Sequence, residues 1–218
     1  MRDSDHPRHP AADPVPPLYP ADRLRTAQRA TARAGLDALL ISPGADLRYL
    51  TGYDASPHHE LSDRTIRSGD PVVVDIGGTT RDGYCSDSTR VYAVGEPPAA
   101  FRRLHEVLLS AQRAQTEAVR PGITAGQLDA VGRDVITDAG YGACFIHRTG
   151  HGIGLESHED PYIVAGNPLP LAPGMAFSVE PGIDLPDRHG ARIEDIVICT
   201  ERGGERLNRT PRDLVVLP

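Results

Sequence analysis

The stretch HRTGHGIGLESHED, residues 147–160, sets His147, His151 and His158 among glycines and acidic residues. Imidazoles so placed can ligate a metal, carry a proton or stabilise developing charge. The segment has neither helical nor strand period, so it reads as an ordered loop whose chemical partners lie elsewhere. The candidates are four carboxylates in apolar surroundings: Asp75 in PVVVDIGG (71–78), Asp87 just before STRVYAVG (88–95), Glu180 in MAFSVEPGI (175–183) and Glu194 in ARIEDIVICT (191–200).

Turn chemistry predicts how these acids meet. GGTTRDGY separates the first two runs, and such a sequence closes a hairpin. Centred on Arg81, the hairpin makes Asp75 and Asp87 direct cross-strand neighbours, with Cβ atoms ~5 Å apart. A tighter turn on Asp82-Gly83 would break that register. In the second half PDRHG (186–190) separates the strands, and a hairpin centred on Asp187 places Glu180 opposite Glu194. Facing like charges destabilise a sheet unless something compensates. A carboxylate pair can share a proton or hold a cation, and the bland alternative is four surface acids that never meet. If the hairpins converge, two divalent cations neutralise the four charges and activate a water as nucleophile. Carboxylate and imidazole ligands without thiolate suit Mn, Fe, Co or Zn.

The elements that must hold these groups can also be read. Residues 1–20 form a proline-punctuated leader. A helix is expected over 21–34, ended by Gly35, followed by a short buried strand DALLI (37–41). Pro97 and Pro98 open a helix with the apolar stripe Phe101, Leu104, Leu108, Ala111 and Val119. Thr124 and Gln127 form a capping box for the next helix, which is expected to turn Leu128, Val131 and Val135 inward and to end at Gly140. The order of helices and strands predicts an α+β domain with largely antiparallel pairing.

Composition narrows the class of function. The 218 residues carry a net charge of -7, and all 23 basic residues are arginine. That balance gives no electrostatic case for nucleic acid or an anionic membrane. No run approaches the ~18 apolar residues of a membrane helix, and the charged, proline-rich N-terminus is no secretory signal. Cys85, Cys144 and Cys199 are widely spaced, as expected of reduced thiols in a cytoplasmic protein. Nucleotide binding through GGTTRDG is disfavoured, because the pattern lacks GxGxxG and leads into a strand.

Together, DIGGTTRDGYCSDSTR, HRTGHGIGLESHEDP, SVEPGI and ARIEDIVI resemble the pita-bread metallopeptidases, specifically the aminopeptidase P and prolidase (Xaa-Pro peptidase) branch. The resemblance runs from about residue 56 to the C-terminus. It implies the pita-bread fold and a dinuclear centre of two divalent ions, Mn foremost with Co, Fe or Zn as alternatives, ligated by Asp75, Asp87, His151, Glu180 and Glu194. Glu194, not Asp195, is the matching acid. It further implies metal-assisted hydrolysis in which Glu180 relays a proton, His158 stabilises developing charge or the leaving imino group, and His58, from PHHELSDR (57–64), holds the substrate from the other side. His147 lines the pocket or is merely packed in its loop. Arg192 acts near the active site or pairs with a strand neighbour. Glu156, Glu159 and His59 are read as structural. The implied substrate is a peptide with proline in the second position, and a homo-oligomer is compatible with the family pattern.

The chain also departs from that pattern. Residues 21–54 resemble the opening of the family's N-terminal domain and run directly into SPHHE (56–60), inside the catalytic domain (55–218). An internal deletion that removes the first helices of the catalytic domain would leave apolar surface needing another cover. Two alternatives follow: a remnant that binds metal without peptidase activity, or a methionine aminopeptidase-like enzyme. A metal-free creatinase-like hydrolase is disfavoured, because acids or histidine fill all five ligand positions.

Overall fold

Two apolar, β-branched runs joined by glycine-rich turn residues form the hairpin that opens the described part of the larger unit. The computed structural model describes residues 21–35, 66–186 and 188–218, and the chain divides into units Met1–Leu61 and Ser62–Pro218. In the first unit a helix, α1 (Ala21–Arg33), ends before Gly35, whose φ of +70° suits a residue without Cβ. The leader, the DALLI strand, His58 and His59 lie outside the described residues.

In the second unit β1 (Pro71–Thr79) pairs antiparallel with β2 (Cys85–Val94). The register is offset from the one expected: Asp75 faces Thr89, and Asp87 faces Gly77. The reason is the turn, which centres on Asp82; Gly83 adopts φ +88° and its N–H donates to the Thr80 carbonyl at 3.0 Å. Asp75 and Asp87 are therefore diagonal neighbours on one face of the hairpin rather than directly opposed. A last strand, β10 (Val215–Leu217), runs parallel to β2 on its other side.

Two helices cover the sheets. In α2 (Ala99–Ala118), Phe101, Leu104, Leu108 and Ala111 are fully buried, as the stripe predicts. The capping box of Thr124 and Gln127 opens α3 (Ala125–Asp138). Its buried line is Leu128, Gly132 and Ile136, with Val131 and Val135 only half-buried on the flank. The expected stripe was thus one position out of phase after Leu128, because the i, i+4 row from Leu128 faces the sheet.

A five-stranded sheet runs in the order β4 (Glu159–Ile163), β3 (Gly150–Gly152), β5 (Ala176–Val179), β8 (Asp195–Thr200), β9 (Gly203–Arg206). A separate ribbon pairs β6 (Gly182–Leu185) with β7 (His189–Arg192). The two long strands expected over 175–183 and 191–200 are therefore each broken, at Glu180–Pro181 and at Ile193–Glu194. Both halves keep one register: Val179 pairs with Asp195 and Gly182 with Arg192. Glu180 and Glu194 occupy the gap between the two ladders at the register the hairpin predicts, although the turn residue Asp187 lies outside the described residues. Among the described strand pairs only β2–β10 is parallel.

The core has two clusters. One joins α2 and Ile136 to Ile183, Ala191 and Ile193 beneath the β6–β7 ribbon. The other joins Leu128, Ile163, Leu171, Phe177, Val179 and Val197 beneath the five-stranded sheet. Both back the strands that carry the acidic residues. On β1, Val73 is 42% and Ile76 51% exposed, so apolar surface does lie open on the first strand. No helix among the described residues is long and apolar enough to cross a membrane. The cysteines are all free thiols.

Candidate metal centre

The histidine-rich segment is not the plain loop its lack of period suggests. Gly150–Gly152 forms β3 between β4 and β5, and this ladder places His151 at the sheet junction. Gly150 makes the approach feasible, since an added Cβ would collide with the Ser178 carbonyl. The His151 N–H donates to Ser178 Oγ at 3.0 Å, and Ser178 Oγ donates to Glu180 Oε1 at 3.0 Å. Nδ1 of His151 lies 3.0 Å from the Gly152 carbonyl. A carbonyl only accepts, so Nδ1 carries a proton and Nε2 faces the acids, where it donates to Glu180 in the metal-free form and offers a lone pair once a cation displaces that proton.

Around that nitrogen the acids gather. Nε2 is 3.2 Å from Glu180 Oε1 and 3.9 Å from Asp87 Oδ2. Ligand atoms of Asp87, His151 and Glu194 all lie within 4.8 Å of one another. Glu194 is buried, and Thr89 Oγ1 donates to its Oε2 at 2.6 Å. Its Oε1 has no hydrogen-bond partner at all. A buried carboxylate oxygen left bare is costly, and an oxygen and nitrogen donor set of this kind suits a hard or borderline divalent ion. The residues present therefore fit a metal.

The remaining sequence-predicted residues lie at varying distances from this group. Asp75 joins it through Arg192, whose Nη1 lies 3.8 Å from Asp75 Oδ2 and 3.6 Å from Glu180 Oε2. His158 is exposed, yet its ring centroid stands 4.0 Å from that of His151. His147 is half-buried; Nδ1 lies 2.7 Å from the Arg148 carbonyl, and Nε2 is buried without a hydrogen-bond partner. The Glu156 N–H donates to Glu159 Oε2 at 3.3 Å, and Glu159 pairs with Gly152 in the β3–β4 ladder. His58 lies outside the described residues.

Charge crowding perturbs these groups in the way a metal would relieve. Burial, then the charges of Asp75 and Glu180, push the Asp87 carboxyl up to about 7. Burial, then Glu180 and Asp87, raise Glu194 well above the usual carboxylate range. Burial also raises Glu180, but the hydrogen bond from His151 and the Arg192 cation outweigh it and leave its pKa low. For His151, burial lowers the pKa, and the hydrogen bond and charge of Glu180 more than restore it. Burial, then Arg192, hold His147 below its ordinary value, so it is neutral near pH 7.

Thr89 and Ser178 support the site without having been singled out from sequence. Each stands two residues from an acid, Asp87 and Glu180, and so shares its face of the strand. That period-2 spacing is the signal that could have found them.

A model of metallopeptidase family M24 matches residues 49–201. The chain is 60% identical over 166 residues to the probable dipeptidase PepE of Mycobacterium tuberculosis, covering 76% of this chain and 44% of that protein. It is 48% identical over 164 residues to the Xaa-Pro dipeptidase of Lactobacillus delbrueckii subsp. lactis, covering 75% of this chain and 44% of the relative. The crystal structure of dipeptidase PepE from Mycobacterium ulcerans superposes with a TM-score of 0.72 at 59% identity, over 74% of this chain and 44% of that one. The chain thus spans less than half the length of these relatives. The α+β layering and these likenesses together identify the pita-bread fold.

Proposed function

From the premise that the chain belongs to metallopeptidase family M24, a metal-dependent family, we propose that it hydrolyses the first peptide bond of peptides with proline in the second position. The reading has it bind two divalent ions, manganese foremost, through Asp75, Asp87, His151, Glu180 and Glu194. The observation that carries it is the buried, partnerless Oε1 of Glu194, together with the ligand atoms that Glu194, Asp87 and His151 bring within 4.8 Å of one another. A similar protein, from Lactobacillus delbrueckii, is named an Xaa-Pro dipeptidase, which supports the substrate class.

When bound, the ions supply Lewis acidity, acidifying water and polarising the scissile carbonyl. The chain's own residues do the rest. Glu180 takes the proton of the attacking water: it stays ionised at neutral pH, and Ser178 fixes Oε1 in place. Arg192 draws Asp75 and Glu180 together and offsets their charge. His158, stacked beside His151, hydrogen-bonds the developing oxyanion or the leaving imino nitrogen. His147, neutral with its lone pair on Nε2, accepts a hydrogen bond from the substrate. The free thiols suit a cytoplasmic setting.

A second reading is a metal-binding remnant without peptidase activity. The solvent exposure of His158 favours it. One experiment separates the two: Mn²⁺-loaded protein is given an Xaa-Pro dipeptide and an Xaa-Pro-Xaa tripeptide, and released amino acid is quantified. Cleavage of the dipeptide alone gives a prolidase, and cleavage of the tripeptide gives an aminopeptidase P. Bound manganese with neither product establishes the remnant.

A further inference from the structure

Beyond β9, and beyond the residues matched by the family model, the chain crosses the junction between the two ligand-bearing hairpins. β2 and β8 belong to different sheets. Their direct backbone link at the site is the Glu194 N–H donating to the Thr89 carbonyl at 3.1 Å. Asn208 adds a second link. Its Nδ2 donates to the Asp87 carbonyl at 2.8 Å, and its Oδ1 accepts from the Ile196 N–H at 2.6 Å. The orientation of this amide is unambiguous, because a carbonyl only accepts and a backbone N–H only donates. One short side chain therefore spans from the backbone of Asp87 to a point two residues past Glu194.

The neighbouring residues lock this link in place. Arg90 donates to the carbonyls of Pro211 at 2.9 Å and Thr210 at 3.0 Å. It also donates to the carbonyls of Thr89 and Glu194 and, at 2.6 Å, to Asp195 Oδ1. Arg212 donates to Gln112 Oε1 at 2.6 Å, and Gln112 Nε2 donates to Asp195 Oδ2 at 3.1 Å. Residues 207–212 are thus tied to β2, β8 and α2 at once.

We propose that Asn208 is a positioning residue of the metal centre, fixing the separation of the Asp87 and Glu194 carboxylates from a strap formed by residues 207–212. The inference rests on the metal-centre reading given above. Ligand geometry set in advance of binding raises metal affinity, and removing an outer partner of a ligand lowers it about 10–100-fold.

The test is calorimetric titration of Mn²⁺ into the metal-free full-length chain and two variants, alongside denaturant unfolding of each metal-free form. Asn208→Ala raises the Mn²⁺ dissociation constant at least tenfold. Thr124→Ala, which removes the α3 cap and bonds to no residue of the strap, lowers stability by a comparable amount and leaves the Mn²⁺ dissociation constant unchanged. If Asn208→Ala does not fold, Asn208→Asp retains the acceptor for Ile196 but loses the donor to Asp87, and it weakens Mn²⁺ binding in the same direction. Wild-type affinity in a folded Asn208 variant, or equal weakening in Thr124→Ala, overturns the strap alone. A wild-type chain that takes up no Mn²⁺ overturns the metal centre and the strap with it.

Discussion

At the scale of single residues, the acids report what the site lacks. Asp87 has an ordinary pKa of 3.8 and is pushed to about 7 in the folded chain, and Glu194 is raised in the same sense. Between those values the folded, metal-free form holds protons that the unfolded chain has released. Their stabilising contribution is complete below pH 3.8 and is lost as pH rises through about 7. Thermal melts of metal-free protein therefore show a Tm that falls from pH 4 to pH 7, and Asp87→Asn flattens this slope. A slope of the opposite sign at these pH values, or one untouched by the substitution, contradicts the crowding. Thr89→Val removes the donor to Glu194 Oε2 and weakens Mn²⁺ binding by about 10–100-fold, measured by titration. The sequence singles out the four acids and His151 by residue type and motif, whereas Thr89 and Ser178 carry only a two-residue spacing from an acid. That spacing puts a hydroxyl on the acid's face of the strand, but which oxygen it bonds is decided only when the strands meet.

At the scale of elements, local pattern was informative where an element closes on itself. The helix α2 stripe and the α3 capping box follow from 3.6-residue spacing and cap chemistry alone. The β6–β7 register follows from its turn, and the same register carries on into β5–β8. The β1–β2 register missed because GGTTRDGY can turn on either Arg81 or Asp82, and only the formed bonds decide. β3 and β4 were illegible for a different reason: a three-residue Gly-His-Gly strand has no period and is held by its neighbours. This makes Gly150 a sharp probe. Gly150→Ala forces β3 away from the Ser178 carbonyl and carries His151 with it, so Mn²⁺ affinity drops while far-UV circular dichroism stays near wild type. Leu104→Ala, in the fully buried α2 stripe, has the converse profile. It costs about 2–5 kcal/mol of stability in urea unfolding, with the metal sites retained by the fraction that folds.

At the scale of the whole molecule, α2, α3 and the core of the larger unit lie behind its strands while the acids meet where separate ladders break. Four carboxylates in one place oppose folding unless a cation joins them, so metal binding and stability are coupled by mass action. At 100 times the dissociation constant, one bound ion stabilises the fold by about 2.7 kcal/mol. The predicted ligands all fall within the described residues. The measurement closest to the central claim is therefore the manganese content of the reconstituted, desalted chain by elemental analysis, with Glu194→Ala beside it. The dinuclear centre predicts about two Mn per wild-type chain and the loss of at least one in the variant. A wild-type chain that retains no metal contradicts it.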